Sequence, residues 1–549
     1  MPEIIHGIDR RPLEAGKSIF DYADEVSISV PQSCGRSGRC RECVIEIRQG
    51  GEALTPRTDA EAYLPEDFRL ACQASVASTD HDIEFAIIRR RMHILEATAE
   101  TPSEVDPVVT VEGGTVLYDG VPMDHARDRL LGLAIDVGTT TVVFRVIDLV
   151  SGHTVTGGAF ENPQRFGGSD VIGRISYEAE RPGELRRALR RALNHELSRI
   201  YAENGIERHD VLEVVVVGNA TMRDLFFGLD VAPIGQSPFR SVTETAWRAG
   251  ASPDSSVVRL AHELGILVHP RARVWGAPLI ACHVGADAAA DLLPSGMLEA
   301  ADRATSGGPA MLVDVGTNTE VVITDGTRVL AASCPAGPAF EGGLVRFGMP
   351  GSEGAIEAAR RDGADWAVRT IGDVEPEGIC GSGLVDVLAE LRRTGAMAPT
   401  GAFAGESQKV ALVPEHGITF SRGDAAQLAQ AKAANAVGMR VLLRRLGLGP
   451  DDLAALHLAG GFASHLDVPN AQRIGFLPPV PADRVVQHGN ASVRGAAALL
   501  LSRRARARLD AFVGRIEHVE LEAEPDFFDL FVDGLRFDPL PSVMEVPPA

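Results

Sequence analysis

A chain of 549 residues with 45% apolar and 23% charged side chains is too long for one core and reads as three or four globular domains. Its formal charge of −22 argues against nucleic acid and anionic membrane, both of which need a basic surface, and fits simple solubility, small ligands or a partner with its own basic patch. The opening MPEIIHGIDRRPLE has no apolar stretch of the signal-peptide kind and no window reaches roughly 18 uninterrupted apolar residues, so the expected location is cytoplasmic, where clustered Cys point to metal or catalysis.

In residues 1–90 short strands are expected over 25–30, 44–48 and 83–88, with a helix near 19–23. Among them SCGRSGRCREC carries Cys34, Cys40 and Cys43, a C-x5-C-x2-C run, and FRLACQASV returns Cys72. Three thiolates on one loop and a fourth from elsewhere is the plant-type pattern that holds a [2Fe–2S] cluster. The first gap is one residue longer here, which resembles vertebrate-type and related bacterial ferredoxins. Gly35 and Gly38 allow the loop to curl so that backbone N–H groups can face the cluster sulfurs. Zinc is the competing metal, but structural zinc sites favour two close Cys pairs and Cys72 stands alone. Arg36, Arg39 and Arg41 surround the loop and read as a docking charge, a lever on the cluster potential, or solvated charge. Cys282, Cys334 and Cys380 sit singly in Ala/Gly-rich segments and read as small buried hydrophobes.

Residues 91–129 read as a linker with one hairpin, punctuated by Pro102, Pro107, Gly113, Gly114 and Gly120. At Leu131 the character changes: LGLAIDVGTTTVVFRVIDL is an apolar strand, a Gly/Thr turn and a second strand. The pattern returns at Met311 in MLVDVGTNTEVVITDG, aligning Asp136 with Asp314, and a separation of this size indicates duplicated α/β halves, not a solenoid. A third Gly-centred turn follows at Gly460 and Gly461 in HLAGGFASHLD. Amphipathic helices are expected over 184–203, 384–393 and 425–446, so strands alternate with helices as in α/β folds. The chain is divided at 1–90, 91–129, 130–210 and 211–549.

An Asp at a strand end followed by Gly-Thr has a physical use: the turn's N–H groups and hydroxyls can hold phosphate oxygens while the Asp holds Mg²⁺ directly or through water. Asp136, Gly138, Thr139 and Thr140 form one such turn, and Asp314, Gly316, Thr317 and Asn318 the other. Two of them facing each other would clasp a triphosphate, and Gly460–Gly461 would let a strand end pass close to an adenine or ribose. No P-loop is present, and GICGSG at 378–383 has the wrong spacing for a dinucleotide fingerprint.

These three turns resemble the phosphate-1, phosphate-2 and adenosine motifs of the actin/hexokinase/Hsp70 (ASKHA) superfamily. Together with the Cys module they resemble the reductive activators of corrinoid proteins, as do the segments 161–175, 216–222, 334–343, 378–386 and 459–467. The resemblance implies an α/β multidomain fold: a small β-grasp ferredoxin-like domain, a linker, and a duplicated ASKHA ATPase domain. It implies a [2Fe–2S] cluster, ATP and Mg²⁺ as cofactors, with ATP hydrolysis driving one electron from the cluster to Co(II) to restore Co(I). The implied partners are the corrinoid protein of a methyltransferase or methionine synthase system and an upstream electron donor, with a homodimer left open. Asp136 and Asp314 are the leading catalytic residues; the general base is left between them and a Glu of the middle segment. Asn162, Gln164, Asp170 and Arg174 form a further polar cluster, suited to the cleft, to a partner surface, or to loop capping. The rival readings are an ASKHA small-molecule kinase with a redox-sensing ferredoxin, a dehydratase activator (which the Cys set does not fit), and a nucleotide-gated chaperone-like clamp with a structural cluster.

Overall fold

The structure is a computed structural model that describes the chain except for residues 1, 8, 27, 29, 31–35, 39–42, 88–104, 282, 303–306, 364, 406, 407, 462 and 542–549. Cys34 and Cys40 therefore lie outside the described residues, as do Gly35, Arg39, Arg41 and Cys282.

The N-terminal module is a five-stranded sheet in the order Asp9–Pro12, Glu3–His6, Ile83–Ile87, Val44–Gln49, Phe68–Leu70. A helix, Ile19–Glu25, packs on it through buried Ile19, Phe20, Tyr22 and Ala23. Ser18 and Asp21 form a reciprocal capping box that fixes the start of this helix, which then runs through Glu25. The strand expected over 25–30 is accordingly not formed among the described residues.

Residues 105–125 are more structured than a hairpin-bearing linker. Val109–Glu112, Thr115–Tyr118 and Val121–His125 form a three-stranded antiparallel meander that buries Val109, Val116, Leu117 and Met123. Polar contacts tie it to the body: Asp124 Oδ2 lies 2.9 Å from His269 Nε2, and the Asp106 N–H donates to Leu501 O at 2.8 Å. Alternating apolar residues on one face of a sheet need a cover, and the neighbouring lobe supplies it.

Two larger sheets follow. The first runs Thr154–Glu161, Thr141–Asp148, Leu131–Val137, Val211–Val217, Arg273–Gly276, Val257–Leu260. The second runs Val329–Cys334, Thr319–Thr324, Ala310–Val315, Ala455–Ala459, Val485–Gly489, with Ile516–His518 beyond Val329–Cys334. Read from the hairpin side, both have the same topology: three antiparallel strands, then two parallel ones. The sequence repeat is thus a repeat of the fold. The first sheet crosses residue 210, where the sequence divides the chain, because Val211–Val217 pairs in parallel with Leu131–Val137.

The helix Ala491–Leu501 packs back on the first sheet at Gly132 and on the helix Ala286–Asp291 at Gly495. A Cβ on Gly132 would lie 2.6 Å from Leu500, and one on Gly495 would lie 2.2 Å from Ala290 O. In the second lobe the 25-residue helix Arg422–Leu446 covers the sheet, with Ser421 and Asp424 capping its start and Gly447 in the left-handed region at its end. Among the described residues no helix is long and apolar enough to cross a membrane.

Candidate functional site

Leu131–Val137, buried throughout, carries Asp136 to the edge of the first lobe. The chain must then turn at once: a Cβ on Gly138 would meet Thr141 O at 2.4 Å, so only glycine fits. Three carbonyls of this turn are drawn to its rear. Asn162 Nδ2 donates to Gly138 O at 2.8 Å, the Asn162 N–H to Thr140 O at 2.7 Å, and Arg174 Nη2 to Thr139 O at 2.6 Å. Anchoring the carbonyls behind turns the peptide N–H groups to the front, the arrangement that suits an anion. Asn219 adds a hydrogen bond from Nδ2 to Thr139 Oγ1 at 2.9 Å.

The second turn matches it. Ala310–Val315 delivers Asp314, Gly316 opens the turn, Thr317 O accepts from the Gly337 N–H at 2.8 Å, and Asn318 leads into Thr319–Thr324. The two turns face each other. Thr140 Oγ1 and Thr317 Oγ1 are 3.3 Å apart, and both donate to Glu341 Oε2, Thr140 at 2.5 Å. The third turn stands beside the second, because Ala455–Ala459 pairs in parallel with Ala310–Val315. Gly460, at φ +108°, leaves no room for a Cβ, which would lie 2.2 Å from Val315 O, while the space beside Gly461 is open. Gly218 does the same in the first lobe, at φ +150° with Val137 O 2.7 Å from where its Cβ would be. That symmetry was readable in VVVVGN beside LHLAGG.

Behind the turns Asp136 and Asp314 join three carboxylates that the sequence did not disclose. Asp136, Asp287, Asp291, Asp314 and Glu320 influence one another, and Asp291 and Glu320 are enclosed. Burial, reinforced by the neighbouring Asp carboxylates, pushes Asp136, Asp291 and Glu320 well above the usual range. Burial raises Asp287 to about 7, with Asp314 adding to it, and raises Asp314 to about 6. Asp291 and Asp314 lie within hydrogen-bonding reach, which two carboxylates achieve by sharing a proton. Donors are few: Asn490 Nδ2 to Asp136 at 3.3 Å, Ser492 Oγ to Asp291 at 3.0 Å and Ser333 Oγ to Glu320 at 3.3 Å. The donor chemistry fits a hard cation. Among the described residues no three His, Cys, Asp or Glu are arranged to hold a metal by themselves.

Of the predicted polar cluster, Asn162, Gln164 and Arg174 come together at the rear of the first turn, all buried, whereas exposed Asp170 caps the helix Val171–Glu180 and acts on Arg174 through its charge. Burial draws the Arg174 guanidinium down to about 9, against the opposing pull of the Asp170 and Glu341 charges. Gln164 Nε2 is buried without a hydrogen-bond partner there.

The same segment meets the N-terminal module. Arg165 donates from Nη1 to Glu161 at 2.8 Å and from Nη2 to Glu46 at 2.7 Å. Phe166 packs edge-on between Tyr63 and Tyr177, with ring centroids 5.7 and 5.4 Å away, and the Tyr177 hydroxyl donates to Tyr63 O. Between the module and the lobes lies a cleft of about 2340 Å³, whose walls include Glu46, Thr140, Arg165, Arg174, Glu341 and Arg346.

Within the module Cys43 Sγ and Cys72 Sγ converge to 3.4 Å, brought together by the pairing of Val44 with Leu70. Two soft donors at this distance fit a shared iron, and Gln73 Nε2 donates to Cys72 Sγ at 3.4 Å. Arg36 is not a loose docking charge: it pairs with Asp21 and Asp24 and lies over the Phe20 ring. Cys334 and Cys380 are buried, with burial raising both thiols, as expected of inert hydrophobes.

Fold and site thus define a ferredoxin-type domain coupled to an ASKHA-type lobe pair. Family models match the chain in order: the 2Fe-2S iron-sulfur cluster binding domain at residues 8–77, the RACo middle region at 131–300, and the C-terminal ASKHA domain of RACo at 308–542. The chain belongs to the RACo family. It is 26% identical to the corrinoid activation enzyme RamQ of Eubacterium limosum, over 94% of this chain and 96% of that protein. It is 24% identical to the [Co(II) methylated amine-specific corrinoid protein] reductase of Methanosarcina barkeri, over 69% of this chain and 71% of that protein. A solved reductive activator for corrinoid, iron-sulfur protein superposes with a TM-score of 0.71 at 25% identity, covering 98% of this chain and 99% of that one.

Two predictions follow from this geometry. Asn162→Ala frees a buried carbonyl of the first turn and is expected to weaken ATP binding about tenfold, whereas Asp170→Ala leaves it unchanged; titration with a fluorescent ATP analogue checks both. The second concerns pH. Carboxyls raised to about 6 and 7 keep protons that the unfolded chain releases near its ordinary value, so their stabilising contribution falls as pH rises from about 4 to about 7 and stays low above. Asp287→Asn removes a charge that is present at pH 8 and largely neutralised at pH 5. In Mg²⁺-free buffer it should raise the calorimetric midpoint by about 2 °C or more at pH 8, and by less at pH 5.

Proposed function

We propose that the chain is an ATP-dependent reductive activator of a corrinoid protein, using ATP binding and hydrolysis to drive one-electron reduction of Co(II) to Co(I). The observation that carries this reading is the segment 161–177, which holds the nucleotide turn with Asn162 and Arg174 and the ferredoxin-type module with Arg165, Phe166 and Tyr177. Full-length similarity to corrinoid activators supports it over a kinase carrying a redox sensor.

In this reading Asp136, Gly138, Thr139 and Thr140 bind one side of the triphosphate, Asp314, Gly316, Thr317 and Asn318 the other, and Gly460 and Gly461 admit the nucleoside. Asp136 and Asp314 hold Mg²⁺, which offsets the surrounding negative charge. Cys34, Cys40, Cys43 and Cys72 hold the [2Fe–2S] cluster, which when bound supplies the single electron that converts the partner's Co(II) to Co(I). An upstream donor must then replace that electron. The reading also places the chain in the cytoplasm and leaves a homodimer as its assembly to be measured.

The energy scale is consistent. An electron driven about 200 mV uphill costs about 4.6 kcal/mol at 59 mV per tenfold. Inverting a two-state equilibrium from 1:99 to 99:1 takes about 5.5 kcal/mol, so differential nucleotide binding to two arrangements of the lobes is large enough. Parting the turns to admit phosphate shifts Thr140 O against Asn162. The displacement passes along the short Pro163–Gly167 turn to the surface where Glu46 and Tyr63 sit.

The test is anaerobic and spectroscopic. Reduced, cluster-loaded protein mixed with the Co(II) corrinoid protein of a methyltransferase should form Co(I) on addition of ATP and little without it. Glu46→Ala, which loses the Arg165 contact outside the nucleotide turns, should lower the ratio of Co(I) formed with and without ATP by about threefold or more at unchanged cluster content. Equal Co(I) formation with and without ATP in the parent protein would falsify the coupling.

A further inference from the structure

Glu341 differs from every other carboxylate near the nucleotide turns. Asp136, Asp287, Asp291, Asp314 and Glu320 crowd together behind them, where protons or a cation must offset their charges. A carboxylate so engaged is poorly placed to take a proton from water. Glu341 lines the open cleft, which those five do not, and is half-buried in its wall beside Gly316, with its charge still felt at Asp314. It lies on a loop pinned to the second turn by the Gly337 N–H bond to Thr317 O. The loop is tightly folded after it: Gly342 adopts φ +87°, and a Cβ there would lie 2.3 Å from the Met349 nitrogen. The Glu341 carboxylate is therefore held in place by backbone geometry as well as by its hydrogen bonds.

Its partners indicate its task. Oε2 accepts from the hydroxyls of both Thr140 and Thr317, one from each lobe. These are the hydroxyls assigned above to phosphate oxygens. With 3.3 Å between their Oγ atoms, the two threonines are too close to straddle a phosphate. The carboxylate thus takes the donors that a terminal phosphate would take, and phosphate can enter only by displacing it. Tethered at Thr317 and Gly342, the displaced group has little distance to move. It stays beside the terminal phosphorus, on the side that faces the cleft and its water.

We infer that Glu341 is the general base for ATP hydrolysis and the group that closes the two turns again after phosphate leaves. This rests on the function proposed above and adds a residue to it that the sequence left unassigned. Water oxygen forms a bond to the terminal phosphorus while the bond from that phosphorus to the β,γ-bridging oxygen breaks. ADP departs with the bridging oxygen, and the water proton passes to the Glu341 carboxylate and on to solvent. The products are ADP, inorganic phosphate and one proton. Once phosphate is gone, Thr140 and Thr317 return to Glu341, and hydrolysis resets the lobes.

Single-turnover hydrolysis of ATP by the full-length, cluster-loaded protein, with no corrinoid protein present, tests this. Glu341→Gln keeps the size and an acceptor oxygen but cannot take the proton; its rate should fall about 100-fold or more, with affinity for a fluorescent ATP analogue within about threefold of the parent. Glu341→Asp retains a carboxylate one methylene shorter, and its rate should lie between the two. A Gln variant that hydrolyses bound ATP at the parent rate overturns the inference, whether its ATP affinity is kept or lost, the latter marking Glu341 as a binding group alone. In that case ATP-dependent Co(I) formation by the parent would still stand, so activator and base fail separately. A parent protein that does not bind ATP overturns both.

Discussion

One asparagine sets the terms for this molecule. Asn162 donates twice to the first nucleotide turn, to Gly138 O from its side chain and to Thr140 O from its backbone. The next residues, Pro163–Gly167, form a single turn of 3₁₀ helix in which Arg165 and Phe166 grip the ferredoxin-type module. No flexible connection intervenes between phosphate contact and module contact. Buried Arg174 closes the unit from behind, bonded to Gly168 O and Thr139 O and packed under the first turn. Packed interiors shift between discrete arrangements more readily than they deform continuously. A change in the turn is therefore transmitted to the module surface.

The charge distribution complements this wiring. Five carboxylates behind the turns hold the two lobes against their own repulsion, and the ordinary remedies, a shared proton or a bound cation, both respond to what occupies the cleft. Glu341 is the counterpart on the open side, linking the lobes through Thr140 and Thr317. In the proposed function, nucleotide with its cation relieves the repulsion behind the turns while breaking a contact in front. A site built this way couples occupancy to lobe arrangement without any special hinge.

How much of this was legible in the sequence follows from distance along the chain. The two D-V-G-T turns were readable because strand, Asp, Gly and Thr lie within ten residues, and the duplicated topology followed from their repetition. Cys43 and Cys72 were readable from thiol spacing alone. Asp287 and Asp291 were not: ADAAAD reads as a short alanine-rich helix, and only the fold brings it under turns built on Asp136, far earlier in the chain, and on Asp314, after it. Glu341 lies in the segment 334–343 but gave no sign there that it faces Thr140, 201 positions away. Residues 105–125 read as a loose connection because their Gly and Pro residues were visible. The pairing of Asp124 with His269, and of Asp106 with Leu501, was not. Asp170 carried the right chemistry for the polar cluster but stays exposed, capping a helix and acting on Arg174 only through its charge.

The central claim is that nucleotide occupancy and module docking are one equilibrium. Amide hydrogen exchange on the full-length protein, with and without ATP and Mg²⁺, tests it directly. The account predicts that slower exchange at residues 138–140 and 316–318 comes with altered exchange at residues 162–177 and at residues 61–70 of the ferredoxin-type module. Protection confined to the two turns, with residues 162–177 and 61–70 unchanged, would contradict it.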